Sequence, residues 1–119
     1  MNSTRILVVE DEPILREFIT LILEDSGVEV TAVETADEGI ALLDKKPWAA
    51  VVTDVRTPGK ADGLDLAWAV HDRFPASVVV VTSGGHDRFD RELPKGTTFI
   101  EKPWSADQLI SALLRGSVA

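Results

Sequence analysis

Three short apolar runs, ILVV (6–9), AAVV (49–52) and VVVV (78–81), constrain this chain more than any other feature. Each is continuous rather than alternating, mostly β-branched, and too short to read as a helix. A strand that is apolar on both sides must be covered on both sides, which is the condition of a central strand in a parallel sheet. Two further runs read as edge strands. EVTAV (29–33) alternates and carries an acid, and TTFI (97–100) is only partly apolar.

Helix-like segments separate these strands. The first follows Pro13, sets Leu15, Phe18, Ile19 and Ile22 on one face, and closes at Gly27. The second opens with Thr35-Ala36-Asp37-Glu38 in capping-box spacing and continues until Pro47; the third covers 63–74 and is stopped by Pro75. The last opens with a second box pattern, Ser105-Ala106-Asp107-Gln108. Segment 84–96 is expected to supply the remaining helix. It starts with two glycines, ends in Pro94-Lys95-Gly96 and is poor in apolar residues, so that fourth helix should be short or irregular. Trp48, Trp68 and Phe74 are read as packing residues. Five strands alternating with helices predict an α/β fold, a doubly wound five-stranded parallel sheet in the order 2-1-3-4-5. The length of 119 residues suits a single domain, 1–119, with no output domain within it.

Charge and composition remove several classes of function. Twelve Lys and Arg against twenty Asp and Glu give a net charge of -8, which argues against direct nucleic-acid binding. The absence of cysteine excludes disulfides, thiol catalysis and cysteine-based zinc sites. No apolar stretch reaches membrane-spanning length and the N-terminus lacks a signal peptide's apolar core, so a cytoplasmic location without membrane contact is expected.

The chemistry gathers where the strands end. Open α/β sheets place their sites at the carboxyl ends of the strands. Glu10, Asp11 and Glu12 follow the first strand, Asp54 the third, Thr82 and Ser83 the fourth, and Glu101, Lys102 and Pro103 the fifth. Carboxylates sharing one crevice repel each other unless a cation lies between them. Hard oxygen donors without His or Cys suit Mg²⁺, and a lysine and a hydroxyl nearby suit a phosphoryl group. A carboxylate so placed can act as a nucleophile and form an aspartyl-phosphate. Glu12, beside Pro13, reads as a solvated acid favourable to the helix dipole.

ILVVEDEP, VVTDVRTPG followed by Asp62-Gly63, VVVVTSGG and FIEKPW resemble, in order and spacing, the receiver domain of two-component response regulators, a flavodoxin-like (βα)5 fold. The resemblance covers essentially the whole chain. It implies that Asp54 is the phosphoacceptor and that Glu10, Asp11, Asp54 and the backbone carbonyl of Arg56 hold Mg²⁺. It implies that Ser83, rather than Thr82, is the switch hydroxyl, that Lys102 binds the phosphoryl group, and that the Lys102–Pro103 bond is cis. Phe99 matches the aromatic that changes rotamer on activation, with plain core packing as its alternative. The implied partners are a histidine kinase or histidine phosphotransfer protein and a downstream protein target.

The sequence departs from the family pattern in three places, one of them the weak segment 84–96, where many family members carry the helix of their output or dimer face. Thr57 stands where Met is common, and Lys60-Ala61 add one residue before Asp62-Gly63. Arg56 and Gly85 occupy the two variable positions that tune phosphate lifetime. The expected function is a Mg²⁺-dependent phosphorylatable switch or phosphotransfer module with slow autodephosphorylation, not an enzyme with a released substrate. The alternative is a degenerate receiver that docks proteins without phosphorylation. A haloacid-dehalogenase-like phosphatase would want a second Asp at the place of Arg56, and a flavin phosphate would be repelled by EDEP. His71 and His86 read as solvated surface residues.

Overall fold

The three β-branched runs form the middle of one parallel sheet. In the computed structural model, which describes residues 4–84 and 91–117, the chain runs β1 (Arg5–Val9), α1 (Pro13–Asp25), β2 (Glu29–Val33), α2 (Ala36–Leu42), β3 (Ala50–Asp54), α3 (Gly63–Arg73), β4 (Val78–Ser83), β5 (Thr98–Glu101) and α4 (Ala106–Ser117). The strand order is β2-β1-β3-β4-β5 and every pairing is parallel, as the sequence predicts.

Alternation along the central strands divides the core. Ile6, Val8, Ala50, Val52, Val78 and Val80 turn to one face, where Ile19, Leu23, Leu109 and Ala112 of α1 and α4 cover them. Leu7, Val9, Val51, Val79 and Val81 turn to the other, beneath Ala36 of α2 and Leu66, Ala67 and Val70 of α3. Burial on both faces removes the strands' apolar surface from water twice over, which makes this pattern the main stabilising element of the fold.

The N-termini of α4 and α2 follow the capping pattern of the sequence, and the C-terminus of α2 departs from it. At α4, Ser105 Oγ accepts from the Gln108 amide and Gln108 Oε1 accepts from the Ser105 amide, a reciprocal box. Thr35 likewise caps α2 by accepting from the Glu38 amide. However, α2 stops at Leu42, five residues short of Pro47. The indole of Trp48 donates to the Leu42 carbonyl at 3.0 Å, and the Leu43 and Lys45 amides tighten onto the carbonyls of Ile40 and Leu42. On α1 the buried residues are Ile19 and Leu23, whereas Phe18 is 47% exposed and stacks on Trp104 at 6.2 Å. Its helical stripe is therefore one position narrower than its apolar residues suggest.

Gly84 and residues 91–97 contain no helix, and Gly85 and His86 lie outside the described residues, as does the rest of 85–90. The described part of the fold has four helices rather than five.

Candidate phosphoacceptor and metal site

The rim at the carboxyl ends of the strands is assembled by period-two alternation carried one step past the core. Ile6 and Val8 share a face, and the next residue of that parity is Glu10; Ala50 and Val52 are followed by Asp54; Val78 and Val80 by Thr82. Asp54 and Thr82 are direct register partners across β3 and β4. The Thr82 hydroxyl accordingly donates to Asp54 Oδ1. Sequence reading placed Thr82 second to Ser83, and it missed this contact because motif matching ignores strand parity. The register, read from the two apolar runs, was the signal that would have found it. Ser83 is also buried at the strand end, and its carbonyl accepts from the Lys102 amide at 2.7 Å.

Lys102 reaches across from the end of β5. Its Nζ lies 3.0 Å from Asp54 Oδ1 and 3.4 Å from Glu10 Oε1. The Lys102–Pro103 peptide bond is cis. Burial alone would lower the lysine's pKa, but the hydrogen bond and charge of Asp54, together with Glu10, outweigh it and raise it. Lys102 is therefore a fixed positive charge beside Asp54.

Glu10, Asp11 and Asp54 offer carboxylate oxygens within 4.8 Å of one another. Glu10 and Asp54 are buried and Asp11 is exposed. Burial, reinforced by a hydrogen bond and the charge of Asp54, pushes the Glu10 carboxyl up from 4.5 to about 8, against the opposing Glu12 amide and Lys102. Glu10 is also held through its backbone: its carbonyl accepts from Arg16 and its amide donates to Val33. A set of three carboxylates offering only oxygen donors fits a small, hard divalent cation such as Mg²⁺. Glu12 is exposed at the N-cap of α1 and makes no side-chain cap bond.

The remaining residues surround this centre. Arg56 follows two residues after Asp54 with an exposed side chain. Phe99 pairs with Val81 and is 40% exposed, so core packing does not account for it. Thr57 bridges within the loop, its hydroxyl accepting from the Ala36 amide and donating to the Ala61 carbonyl. Trp104 is buried at the foot of α4 and faces a groove of about 440 Å³ shared with Leu15, Phe18, Gly84, Lys102 and Pro103. His71 is exposed, edge-on to Trp68.

Comparison with known proteins agrees with this geometry. Residues 6–114 match the response regulator receiver domain family. Among curated proteins, an NtrX-like response regulator of Rickettsia bellii is 30% identical over 97% of this chain and 25% of its own length. The transcriptional regulatory protein AruR of Pseudomonas aeruginosa is 32% identical over 90% of this chain and 46% of its own. The chain thus spans a quarter to under half of these relatives. A response regulator receiver protein from Sinorhizobium medicae superposes with a TM-score of 0.90 at 30% identity, covering 99% of this chain and 97% of that one.

Proposed function

The chain belongs to the response regulator receiver family, and from that premise we propose that it is a Mg²⁺-dependent phosphorylatable switch or phosphotransfer module. Asp54 accepts a phosphoryl group from a histidine kinase or histidine phosphotransfer protein, and the phosphorylated face then engages a downstream protein target. The observation that carries this reading is the setting of Asp54. It is a buried carboxylate bridged to Lys102 and Thr82, with Glu10 and Asp11 close enough to share a cation.

Each residue has a separable task. An Asp54 oxygen forms the new bond to phosphorus while the bond from phosphorus to the donor imidazole nitrogen breaks and the imidazole leaves. Lys102, held in its charged form, stabilises the phosphoryl oxygens, and Thr82, on the face of Asp54 and already bonded to it, offers them a hydroxyl, with Ser83 beside it at the strand end. Glu10, Asp11, Asp54 and the Arg56 carbonyl would hold Mg²⁺, which supplies neutralisation of the charge developing on the phosphoryl group. Asp54 then returns to its free form by slow hydrolysis that the domain assists on itself, without a released small-molecule substrate. Phe99, already outside the core, is the residue whose position reports the switched state.

The donor has an accessible approach. Phe18 of α1 is half-exposed and lines the groove with Lys102 and Trp104, and Ile14 one turn earlier on the helix is exposed as well, so an apolar helix face on the donor would meet apolar side chains here. The acidic balance of the domain supports a protein target rather than nucleic acid. No helix among the described residues is long and apolar enough to cross a membrane; the reading places the domain in the cytoplasm, as one unit over 1–119.

Beryllofluoride added with Mg²⁺ is expected to change tryptophan fluorescence and to shift the Ser83 and Phe99 resonances, and Asp54→Asn is expected to be silent. A native protein that gives no Mg²⁺-dependent response would overturn the reading.

A further inference from the structure

The loop that leaves Asp54 is closed against Asp54 itself. The Gly63 amide donates to the Val55 carbonyl at 2.7 Å, and a Cβ on Gly63 would lie 1.8 Å from the Asp54 carbonyl oxygen. Gly63 is the first residue of α3, so whatever fixes the cap of α3 also fixes the backbone on which Asp54 is mounted.

That cap has an unusual composition. Asp62 accepts from the Asp65 amide and Asp65 accepts from the Asp62 amide, both at 2.9 Å, so the box is built from two aspartates. A box normally pairs a hydroxyl with a Glu or Gln, which leaves one charge at most. Two carboxylates across one turn repel each other.

Arg91, in the chain leading into β5, resolves the conflict. One terminal nitrogen lies 2.8 and 3.0 Å from the two Asp62 oxygens, and the other donates to Asp65. Asp65 is held below the usual carboxylate range, chiefly by its hydrogen bond to Arg91 and then by the Asp62 amide. The next residue is tied to the same helix, because the Trp68 indole donates to the Glu92 carbonyl at 2.9 Å. An arginine fork can serve both carboxylates at once, whereas a lysine ammonium is a single point charge.

We infer that Arg91 is a positioning residue for Asp54. Its guanidinium holds the Asp62–Asp65 cap closed and keeps Gly63 seated on the Asp54 carbonyl. It thereby joins the loop after Asp54 to the chain entering β5, the strand that ends at Lys102. The inference rests on Asp54 being the phosphoacceptor, and its test separates the two.

Arg91→Ala, Arg91→Lys and the double variant Arg91→Ala with Asp65→Asn are compared with the native protein in two measurements. The first is hydrogen exchange of the Gly63 amide without any phosphoryl donor. The second is the rate of phosphorylation by acetyl phosphate with Mg²⁺, in protein whose thermal unfolding is followed alongside. Arg91→Ala should speed Gly63 exchange about tenfold and slow phosphorylation several-fold, beyond any change in global stability. Arg91→Lys should recover little of either. Removing the repulsion with Asp65→Asn should restore part of the Gly63 protection in the Ala background. Unchanged Gly63 exchange in Arg91→Ala overturns the positioning role, and so does a phosphorylation rate equal to that of the native protein. A native protein that takes up no phosphoryl group at all refutes the phosphoacceptor reading instead, while the exchange data still decide whether Arg91 governs the cap.

Discussion

Glu10 is the residue at which the cost of building this site is concentrated. It is 1% exposed, beside Asp54, and shares one lysine with it. Holding its proton until about pH 8 is the way the metal-free protein avoids a second buried charge. Because the folded pKa lies above the reference value of 4.5, the folded state binds a proton that the unfolded chain releases. Its contribution to stability is therefore full below pH 4.5 and is lost as pH rises through about 8. Thermal unfolding of metal-free protein should show this decline, and Glu10→Gln should flatten it. If the carboxylates hold Mg²⁺ as proposed, its binding has to displace the same proton, so its affinity should rise with pH up to about 8. Calorimetry in buffers of different ionisation enthalpy should find about one proton released per ion near neutrality. Gly63 is the other exacting position. Gly63→Ala would drive a methyl into the Asp54 carbonyl and should cost about 3 kcal/mol, read as a lowered denaturation midpoint.

Among the elements, the loop between β3 and α3 has the most to explain, because the sequence reading gives it one residue more than the spacing usual in receiver domains. Its extra length is held by α2. Asp37 accepts from the Lys60 amide at 2.9 Å and the Ala61 amide at 3.2 Å. Thr57, in the place of a common Met, accepts from the Ala36 amide at the N-terminus of α2. Gly59 permits the close approach: its φ is +105°, and a Cβ there would lie 2.1 Å from Asp37 Oδ2. The loop is thus an anchored bend, with α2 on one side and the Arg91-closed cap of α3 on the other. Asp37→Ala should lower stability by only about 1 kcal/mol, since the contacts are exposed, yet proteolysis should find the loop at residues 57–61 more readily.

The whole molecule stands on one sheet with two half-cores. Leu23 is buried on the α1 and α4 side and Leu66 on the α2 and α3 side. The sheet is common to both, so the halves should unfold together. Leu23→Ala and Leu66→Ala should each cost about 2–5 kcal/mol, and each should leave a single urea transition with coincident circular dichroism and fluorescence. Separate transitions would show that the faces are independent.

The sequence by itself determined the sheet. Runs such as VVVV (78–81) have no exposed face to lose, so they admit only central positions, and EVTAV only an edge. It also brought Glu10, Asp11, Asp54 and Lys102 to one rim, because strand ends are legible wherever an apolar run meets a charge. The tertiary structure decided what depends on partners distant in the chain. Thr82 rather than its neighbour bonds Asp54 because the β3–β4 register aligns them. Trp48 takes the Leu42 carbonyl at the end of α2, Asp37 restrains the inserted loop, and Arg91 closes a cap 26 and 29 residues earlier in the chain. Periodicity and capping are local rules that act within a few residues. Hydrogen bonds between segments depend on distances in space that only packing of the sheet and its two helical layers sets.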